Sequence, residues 1–323
     1  MSQNLKADLL LAFCTLIWGA TFVIVKSALV DASVFVFLAL RFSLAAAVLA
    51  VIYRREIPRL RAPKFRAPKF SALKFNDGPL AGGLLMGGLL FAGFALQTAG
   101  IQFTTPSKAA FITGFSVVLV PVLLALFAHL RITKNIWAGA LSALAGLYYL
   151  AVPAPDQLAH LNRGDLLVLG GAVMFALHII SVGAYSGRHP PGALSLVQVA
   201  VMAALTLVAV PLFAIAGWQR PRVDWTPQLI AAVLATAILA TAVAFSVQVW
   251  AQQHATSSHT AILFSLEPVF AAATSFVFFH ERLGSRALAG AAFILAGILL
   301  VELRQPAQPV APESLNQPEK QIP

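Results

Sequence analysis

Charged residues are scarce in this chain of 323 residues. Asp, Glu, Lys and Arg together make up 11% of it, while 59% of its residues are hydrophobic. Soluble globular domains carry roughly 25% charged residues, so a soluble protein of this length would lack the polar side chains that cover its surface. The composition therefore excludes a water-soluble fold and predicts that lipid surrounds most of the chain.

Cysteine is almost absent, since Cys14 is the single one in the sequence. A lone cysteine excludes an intrachain disulfide and a cysteine-based metal site. The sequence also contains no Walker A, G-x-S-x-G or H-E-x-x-H motif, so nothing indicates direct ATP use, hydrolase chemistry or zinc-protease chemistry. We therefore expect no enzyme activity, no metal and no cofactor.

Long apolar runs are what the sequence has instead. Windows of about 20 residues identify ten of them, and alternating strand patterns are absent, so we expect an all-α integral membrane protein with ten transmembrane helices. The first run is long and has no cleavage site after it, so we interpret it as a retained helix rather than a signal peptide. The predicted spans cover 8–28, 34–53, 81–102, 107–129, 135–152, 165–186, 193–217, 229–251, 257–279 and 285–303.

The net charge of +10 is distributed as in a membrane protein that binds no nucleic acid. With the N-terminus in the cytoplasm, fourteen basic residues fall on the cytoplasmic side, eight of them in the loop 54–78, and seven fall on the outer side. The positive-inside rule then predicts a multi-pass protein of the cell inner membrane with both termini cytoplasmic. Within that loop, RAPKF-RAPKF-SALKF (61–75) either lies on anionic lipid headgroups or is a poorly ordered duplication.

The chain also resembles itself. A shift of 151 residues superimposes Gln97 on Gln248, and a shift of 157 residues superimposes Asp8 on Asp165. Each half contains five predicted spans, and because five is odd the second half would enter the membrane in the opposite orientation, as in many secondary transporters. We expect one repeat over 1–152, including the loop 54–78, a second over 160–303, and a disordered cytoplasmic tail over 304–323.

Glu267 stands near the middle of an apolar span, in the sequence SLEPVFA. A charged residue at this depth is costly and marks a functional site by default. The sequence leaves two interpretations: Glu267 binds a cationic or amino group or a proton, or it is a structural carboxyl that bonds to a neighbouring helix.

Pro268 follows Glu267, and Pro121 lies in the matching span of the first half. Since proline removes a helical hydrogen bond, we expect both spans to be interrupted and to hinge there.

Other polar and aromatic side chains within spans are candidates for the same path. Arg41 could snorkel to the headgroups, bind a substrate carboxylate or pair with Glu267, while His178 could be a packing residue or part of a relay. Matched amides and aromatic rings could contact substrate or join helices. The predicted translocation path comprises Trp18, Thr21, Arg41, Gln97, Phe175, His178, Gln248, Ser265 and Glu267.

Several stretches resemble a known family. They are WGATFVIVK (18–26), LRFSLAAAV (40–48), SHTAILFSLEPVFAA (258–272) and HERLGSRALAGAAFILAGILL (280–300). Together they are similar to the EamA-type ten-helix exporters of the drug/metabolite transporter superfamily. The resemblance implies a central cavity within two inverted five-helix repeats and export of amino acids, related metabolites or toxic compounds without ATP hydrolysis.

We therefore expect a secondary transporter that exports small metabolites by alternating access, with the lipid bilayer and a small-molecule substrate as its partners. Protons as the coupling ion and facilitated diffusion fit the sequence equally well. A nucleotide-sugar or phosphometabolite carrier would need several Lys or Arg residues in the cavity, and only Arg41 lies well inside a span. A membrane scaffold or sensor without transport is the alternative from another class. The substrate, the direction and the oligomeric state stay undetermined.

Overall fold

A computed structural model describes residues 2–56, 78–104, 106–151, 162–279 and 284–302. Its secondary structure within these ranges is helical apart from one isolated bridge between Ala32 and Val223. Most of the basic loop 54–78, the boundary between the two expected repeats and the expected tail 304–323 lie outside the described residues.

Six helices form the described part of the first half. Their bounds are α1 Gln3–Asp31, α2 Val34–Ile52, α3 Pro79–Ile101, α4 Pro106–Gly114, α5 Ser116–Phe127 and α6 Lys134–Ala151. The second half contains α7 Arg163–Ser186, α8 Pro191–Ile215, α9 Pro227–Ala237, a π-helical segment Ile238–Val243, α10 Ala244–Ala251, α11 Ser257–Phe264, α12 Glu267–Phe279 and α13 Ser285–Glu302.

Polar side chains define several helix starts. Asn162 and the third residue of α7, Asp165, form a capping box in which each side chain accepts a hydrogen bond from the backbone amide of the other residue. The side chains of Thr226 and Thr256 each accept a backbone amide at the starts of α9 and α11. Such caps satisfy amide groups that the first helical turn leaves without partners.

Length and composition confirm a membrane protein. Among the described residues, seven helical stretches are long and apolar enough to cross a bilayer. In this count α4 and α5 form one stretch, and α9 and α10 form another. The helix Ser285–Val301 is also apolar but shorter. The span predicted over 257–279 is split into α11 and α12, each too short to cross alone. The all-α membrane fold is therefore shown, whereas ten spans in two inverted repeats remains a prediction.

Glycines bring pairs of helices into backbone contact. A Cβ atom at Gly139 would lie 2.7 Å from the carbonyl oxygen of Gly297, and one at Gly146 would lie 2.5 Å from that of Gly290. The two helices α6 and α13 therefore pack against each other where the sequence has its matching G-x6-G patterns. Small residues allow such close approach in membrane helices.

Two helices are interrupted at corresponding places. The chain turns at Phe115, between α4 and α5, and at Ser265 and Leu266, between α11 and α12. At both turns the amide bonds three residues back instead of four, from Phe115 to Ile112 and from Ser265 to Ile262. A shift of 151 residues superimposes Phe115 on Leu266, so the interruptions belong to the internal repeat.

The prediction of an interruption at Pro121 is wrong. Pro121 lies inside the continuous helix α5, six residues beyond the turn at Phe115. Its missing amide leaves one carbonyl, that of Val117, without its helical donor, and the helix tolerates that loss. Pro268 is the second residue of α12, a position where proline is well accommodated, so on that side the interruption was predicted correctly.

Candidate functional site

A cavity of about 860 Å³, including the space in its mouth, lies between the two halves of the chain. Helices α1 to α5 line it from the first half, and α7, α10, α11 and α12 line it from the second. The polar lining residues are Thr21, Arg41, Gln97, Thr98, Thr113, Ser116, His178, Gln248 and Glu267, and the aromatic ones are Trp18, Phe22, Phe94, Phe175, Phe245 and Phe264.

Glu267 is the first residue of α12, directly after the interruption. A carboxylate is favoured at the positive end of a helix, which explains why the fold tolerates a charge at this point. Its carboxylate accepts no hydrogen bond and forms no ion pair with any residue that the structure describes, and the side chain lies partly open to the cavity. The interpretation of a structural carboxyl bonded to a neighbouring helix therefore finds no partner in the described chain.

Helix α1 fixes the position of Glu267 through a glycine. A Cβ atom at Gly19 would overlap the carbonyl oxygen of Glu267 and would lie 2.9 Å from the amide nitrogen of Ala271. The backbones of α1 and of the first turn of α12 are therefore in direct contact. One residue before this glycine, Trp18 also faces the cavity.

Arg41 does not snorkel to the headgroups, contrary to one interpretation of the sequence. It is 2% exposed, its Nε donates to Thr241 Oγ1 at 2.9 Å, and its guanidinium lies 4.7 Å from the centre of the Phe94 ring. Arg41 stays inside the bundle because the Thr241 hydroxyl accepts its hydrogen bond and the Phe94 ring offers an aromatic face, to which cations are attracted. Arg41 and Glu267 line the same cavity but form no ion pair with each other.

The π-helical segment Ile238–Val243 holds both Arg41 and Trp18. Thr241 accepts from Arg41 and donates to the carbonyl of Thr236 at 2.8 Å, while Trp18 Nε1 donates to the carbonyl of Ala240 at 2.9 Å. The wider turn of a π-helix changes its hydrogen-bond pattern and is frequent at functional sites. No pattern in the sequence predicted this segment.

His178 is a buried residue with an amide partner. Its Nε2 lies 3.0 Å from Gln198 Oε1 in α8, and its ring packs edge-on against Phe245 at 5.8 Å between centroids. Thr21, its counterpart in the first half, donates to the carbonyl of Trp18 within its own helix. Both residues line the cavity, so the structure supports a packing role for His178 without removing it from the path.

The two matched glutamines both line the cavity. Gln97 donates to Thr113 Oγ1 at 2.9 Å, and Gln248 donates to Gln252 Oε1 at 3.0 Å. The Oε1 atom of Gln248 is buried and has no hydrogen-bond partner among the described residues. A buried acceptor of this kind is costly unless a ligand or water completes it.

Two of the predicted residues are not part of the cavity wall. Ser265 is buried in the turn and its hydroxyl donates to the carbonyl of Ile262 at 2.6 Å, so the turn itself uses this side chain. Pro121 is buried in α5 and does not line the cavity either. The other predicted path residues, and Pro268, are brought together around it.

Sequence reasoning missed several lining residues for which a signal existed. Phe94 and Phe245 superimpose in the internal repeat, and both line the cavity. Ser116 superimposes on Glu267 under the same shift and also lines the cavity. Gln198, which bonds to His178, superimposes on Arg41 under the shift of 157 residues. Applying the repeat to the candidates would have identified Ser116 and Gln198, of which Ser116 lines the cavity, whereas Phe94 and Phe245 were visible only as a matched aromatic pair.

Metal ligation finds no support in this part of the chain, since the described residues contain no cluster of three or more His, Cys, Asp or Glu side chains that could hold an ion. The cavity can offer a carboxylate, a guanidinium, amides, hydroxyls and aromatic faces. Such a set can bind a small zwitterionic or amphipathic molecule.

Comparison with known proteins decides the family. The model of the EamA-like transporter family matches residues 5–152 and 162–303. The chain belongs to the EamA-like transporter family. It contains the family domain twice, so its general role is that of a membrane transporter in the drug/metabolite transporter superfamily.

Relatives of this EamA-like chain are transporters too. An uncharacterized transporter of Archaeoglobus fulgidus is 33% identical over 94% of this chain and 87% of the relative. The uncharacterized transporter YvbV of Bacillus subtilis is 26% identical over 97% and 96% of the two chains. The threonine/homoserine exporter RhtA of Escherichia coli K12 is 29% identical over 50% of this chain and 52% of its own length.

A crystal structure shares the fold of this EamA-like chain. It aligns with a TM-score of 0.72 over 92% of this chain and 96% of its own, at 20% sequence identity. The arrangement of helices around the cavity is therefore one that a crystallised protein also adopts.

Proposed function

We propose that this protein is a secondary transporter that exports small metabolites, amino acids or close relatives of them, across the cytoplasmic membrane by alternating access. The observation that carries the proposal is the cavity between the two halves, in which the carboxylate of Glu267 has no partner among the described residues. A carboxylate without a partner at this depth is costly. When a cationic group binds next to it, the attraction between the two charges offsets that cost.

The charges in the cavity favour a zwitterionic substrate. Glu267 would bind the ammonium group and Arg41, the one Lys or Arg residue among the described residues that line the cavity, would bind the carboxylate. Gln97 and Gln248 add hydrogen-bonding groups, and the aromatic rings add apolar surface. The name of the relative RhtA, a threonine/homoserine exporter, supports the same class of substrate.

A nucleotide-sugar or phosphometabolite carrier is less well supported. Phosphate groups are bound by clusters of Lys and Arg residues, and the described cavity wall offers Arg41 alone. A scaffold without a ligand would account for the fold, but it would not account for an acid without a described partner in a cavity wall.

The architecture that we propose is two inverted repeats of five spans, over residues 1–152 and 160–303. The corresponding interruptions at Phe115 and Leu266, the matched cavity residues and the repeated family domain support it. In each half, an interrupted span borders the cavity near its middle, as expected of secondary transporters. Both termini would lie in the cytoplasm.

Alternating access would use the two interruptions as bending points, with Pro268 weakening the turn that adjoins the second one. Glu267 is the residue that would exchange a proton for substrate if transport is coupled to protons. Facilitated diffusion needs no such exchange, and the same cavity would serve it.

Counterflow in proteoliposomes tests the proposal. Purified protein is reconstituted with a high internal concentration of one unlabelled amino acid, and uptake of the same labelled amino acid is followed for a panel that includes threonine and homoserine. We expect transient accumulation of label for at least one member, with none in liposomes without protein. Absence of counterflow across amino acids, amines and amphipathic drugs alike would overturn the proposal in favour of a scaffold or sensor.

A further inference from the structure

Two ion pairs occupy corresponding positions in the two halves of the chain. His259 Nε2 lies 2.8 Å from Asp8 Oδ1, and Lys108 Nζ lies 2.7 Å from Asp165 Oδ2. The shift of 157 residues superimposes Asp8 on Asp165, and the shift of 151 residues superimposes Lys108 on His259. Both pairs therefore join the same two elements of the repeat, with one acid and one basic side chain each.

Each pair crosses from one half of the chain to the other. Asp8 is in α1 of the first half and His259 is in α11 of the second, whereas Lys108 is in α4 of the first half and Asp165 is in α7 of the second. Each pair therefore joins the first segment of an interrupted span, α4 or α11, to the first helix of the other half, α7 or α1. Bending of such a segment away from that helix would separate the pair that joins them.

The pairs lie at opposite ends of the helix bundle. Lys26, near the end of α1, donates to the carbonyls of Ile101 and Thr104 at the end of α3 and just after it, and Thr104 Oγ1 donates to Asp165 Oδ1 at 2.7 Å. Asp165 is therefore close to the end of α1. Asp8 is 18 residues before Lys26 on the same helix, which is about 27 Å at the rise of an α-helix.

The cavity lies between these two ends. Trp18 and Phe175 line it, and they follow Asp8 and Asp165 by ten residues each, or about 15 Å along their helices. Ala110, two residues after Lys108, lines the cavity as well. Each ion pair thus lies between the cavity and one end of the bundle.

Partial burial shields both pairs from solvent more than ordinary surface pairs are shielded. Asp165 and Lys108 side chains are 1% and 14% exposed, and those of Asp8 and His259 are 15% and 5% exposed. Exposed ion pairs contribute little because water and salt screen them. Pairs that are largely shielded are screened less, and the contact between His259 and Asp8 is an ion pair when the imidazole is protonated.

We propose that Asp8–His259 and Lys108–Asp165 are the two closures of the transport path, one at each end of the cavity, and that they open in turn. This inference rests on the proposed function, since only a path that is open to alternate sides needs two reversible closures. Asp165 also accepts bonds from Thr104 and from the amide of Asn162, whereas Asp8 has His259 as its partner among the described residues.

A cavity cysteine reports which end is open. Cys14 is the single cysteine and is fully buried, so a Cys14→Ala chain carries no thiol, and Ser116→Cys places one in the cavity wall. Vesicles of both orientations are treated with a membrane-impermeant maleimide, and the labelling rates from the two faces are compared. The Cys14→Ala chain without the second substitution is the background control.

Two matched variants remove the basic partner at corresponding positions. His259→Gln should raise labelling from the face at Asp8 relative to the other, and Lys108→Gln should shift the ratio in the opposite direction. We expect about a fivefold shift for each, the low end of ordinary coupling between sites. Equal ratios in both variants and the parent, or shifts in the same direction, would overturn the inference.

Three further variants separate closure from folding. His259→Lys and Lys108→His exchange the residues that the two halves use, so each retains a basic partner and should keep the parent's ratio. If Lys108→Gln does not accumulate in membranes, Asp8→Asn removes the first pair from its other side and must reproduce the shift of His259→Gln. Unequal shifts would contradict the inference.

The labelling experiment needs no substrate, so its outcome is separable from that of counterflow. Opposite shifts without counterflow would support the closures while removing the proposed substrate class. Counterflow with unchanged labelling ratios would leave the transporter standing and would show that these ion pairs are static contacts between helices.

Discussion

At the residue scale, the two charged side chains of the described cavity wall, Arg41 and Glu267, have different surroundings. Arg41 is held by Thr241 and by the face of Phe94, whereas the carboxylate of Glu267 meets no described partner. Under the proposed function, the guanidinium would be positioned before substrate arrives, and the carboxylate would gain most from binding it. This difference predicts that substituting Glu267 and substituting Arg41 will have distinct effects on ligand binding.

Glu267→Gln should weaken binding of every ligand that has an ammonium group. A hydrogen bond to a charged group contributes about 1.5–3 kcal/mol, so affinity should fall by a factor of about ten to a hundred. Ligand-dependent thermal stabilisation measures this, because ligands that bind the folded state raise its apparent stability. Thr236→Ser, a buried residue that bonds within its own helix outside the cavity, is the control. Unchanged stabilisation by amines in Glu267→Gln would contradict the proposed role.

Arg41→Gln should weaken the binding of ligands that have a carboxylate group, rather than the binding of every ligand. Glutamine is the residue at the corresponding position of the second half, Gln198, so the substitution introduces a side chain that this repeat already accommodates. Affinity for an amino acid should fall by about tenfold or more, while affinity for the amine without its carboxylate should stay near that of the parent. The ratio of the two affinities is the measurement, and an equal loss for both ligands would show that Arg41 is structural.

The sequence was sufficient to single out Glu267 as a candidate that lies in the cavity wall, since an acid in the middle of an apolar span is both rare and costly. It was not sufficient for Arg41, because a position near the start of a span is compatible both with headgroups and with the interior. The hydroxyl of Thr241 holds Arg41 in the interior. That hydroxyl belongs to a π-helical turn, which no residue pattern predicts. Ser265 was selected because it is close to Glu267 in sequence, but the turn places its hydroxyl against the backbone.

Helix interruptions at the element scale are set by contacts between helices more than by proline. The turn before α12 lies where the backbone of Gly19 meets Glu267 and Ala271, and the corresponding turn at Phe115 lies well before Pro121. The prolines are visible in the sequence, but the crossing points of helices are not. The G-x6-G patterns of α6 and α13 were the exception, because a repeated spacing of small residues predicts a packed face directly.

Gly19→Ala should perturb the site from a neighbouring helix. The added methyl group would overlap the backbone at the start of α12, which cannot move as a flexible side chain could, so we expect a loss of about 1–3 kcal/mol together with weaker ligand binding. Gly88→Ala is the matched control, because a Cβ atom there meets nothing within 4 Å and alanine favours the helix. Thermal unfolding of both variants checks the prediction, and equal midpoints would contradict the contact.

The whole molecule is organised by its internal repeat. Composition alone identified a membrane protein, and the repeat identified two related halves, both of which the family comparison supports. What the sequence did not reveal is that the halves also share ion pairs at corresponding positions, because Lys108 and His259 differ in residue type. The correspondence between Lys108 and His259 became visible once the structure showed that they contact Asp165 and Asp8.

Alternating access requires one cavity that both faces of the membrane can reach. The most direct measurement is maleimide labelling of Ser116→Cys in the Cys14→Ala chain with both ion pairs intact, in vesicles of each orientation. We expect labelling from both faces, and protection from both when a transported ligand is present. Labelling from a single face under all conditions would contradict alternating access and with it the proposed transport mechanism.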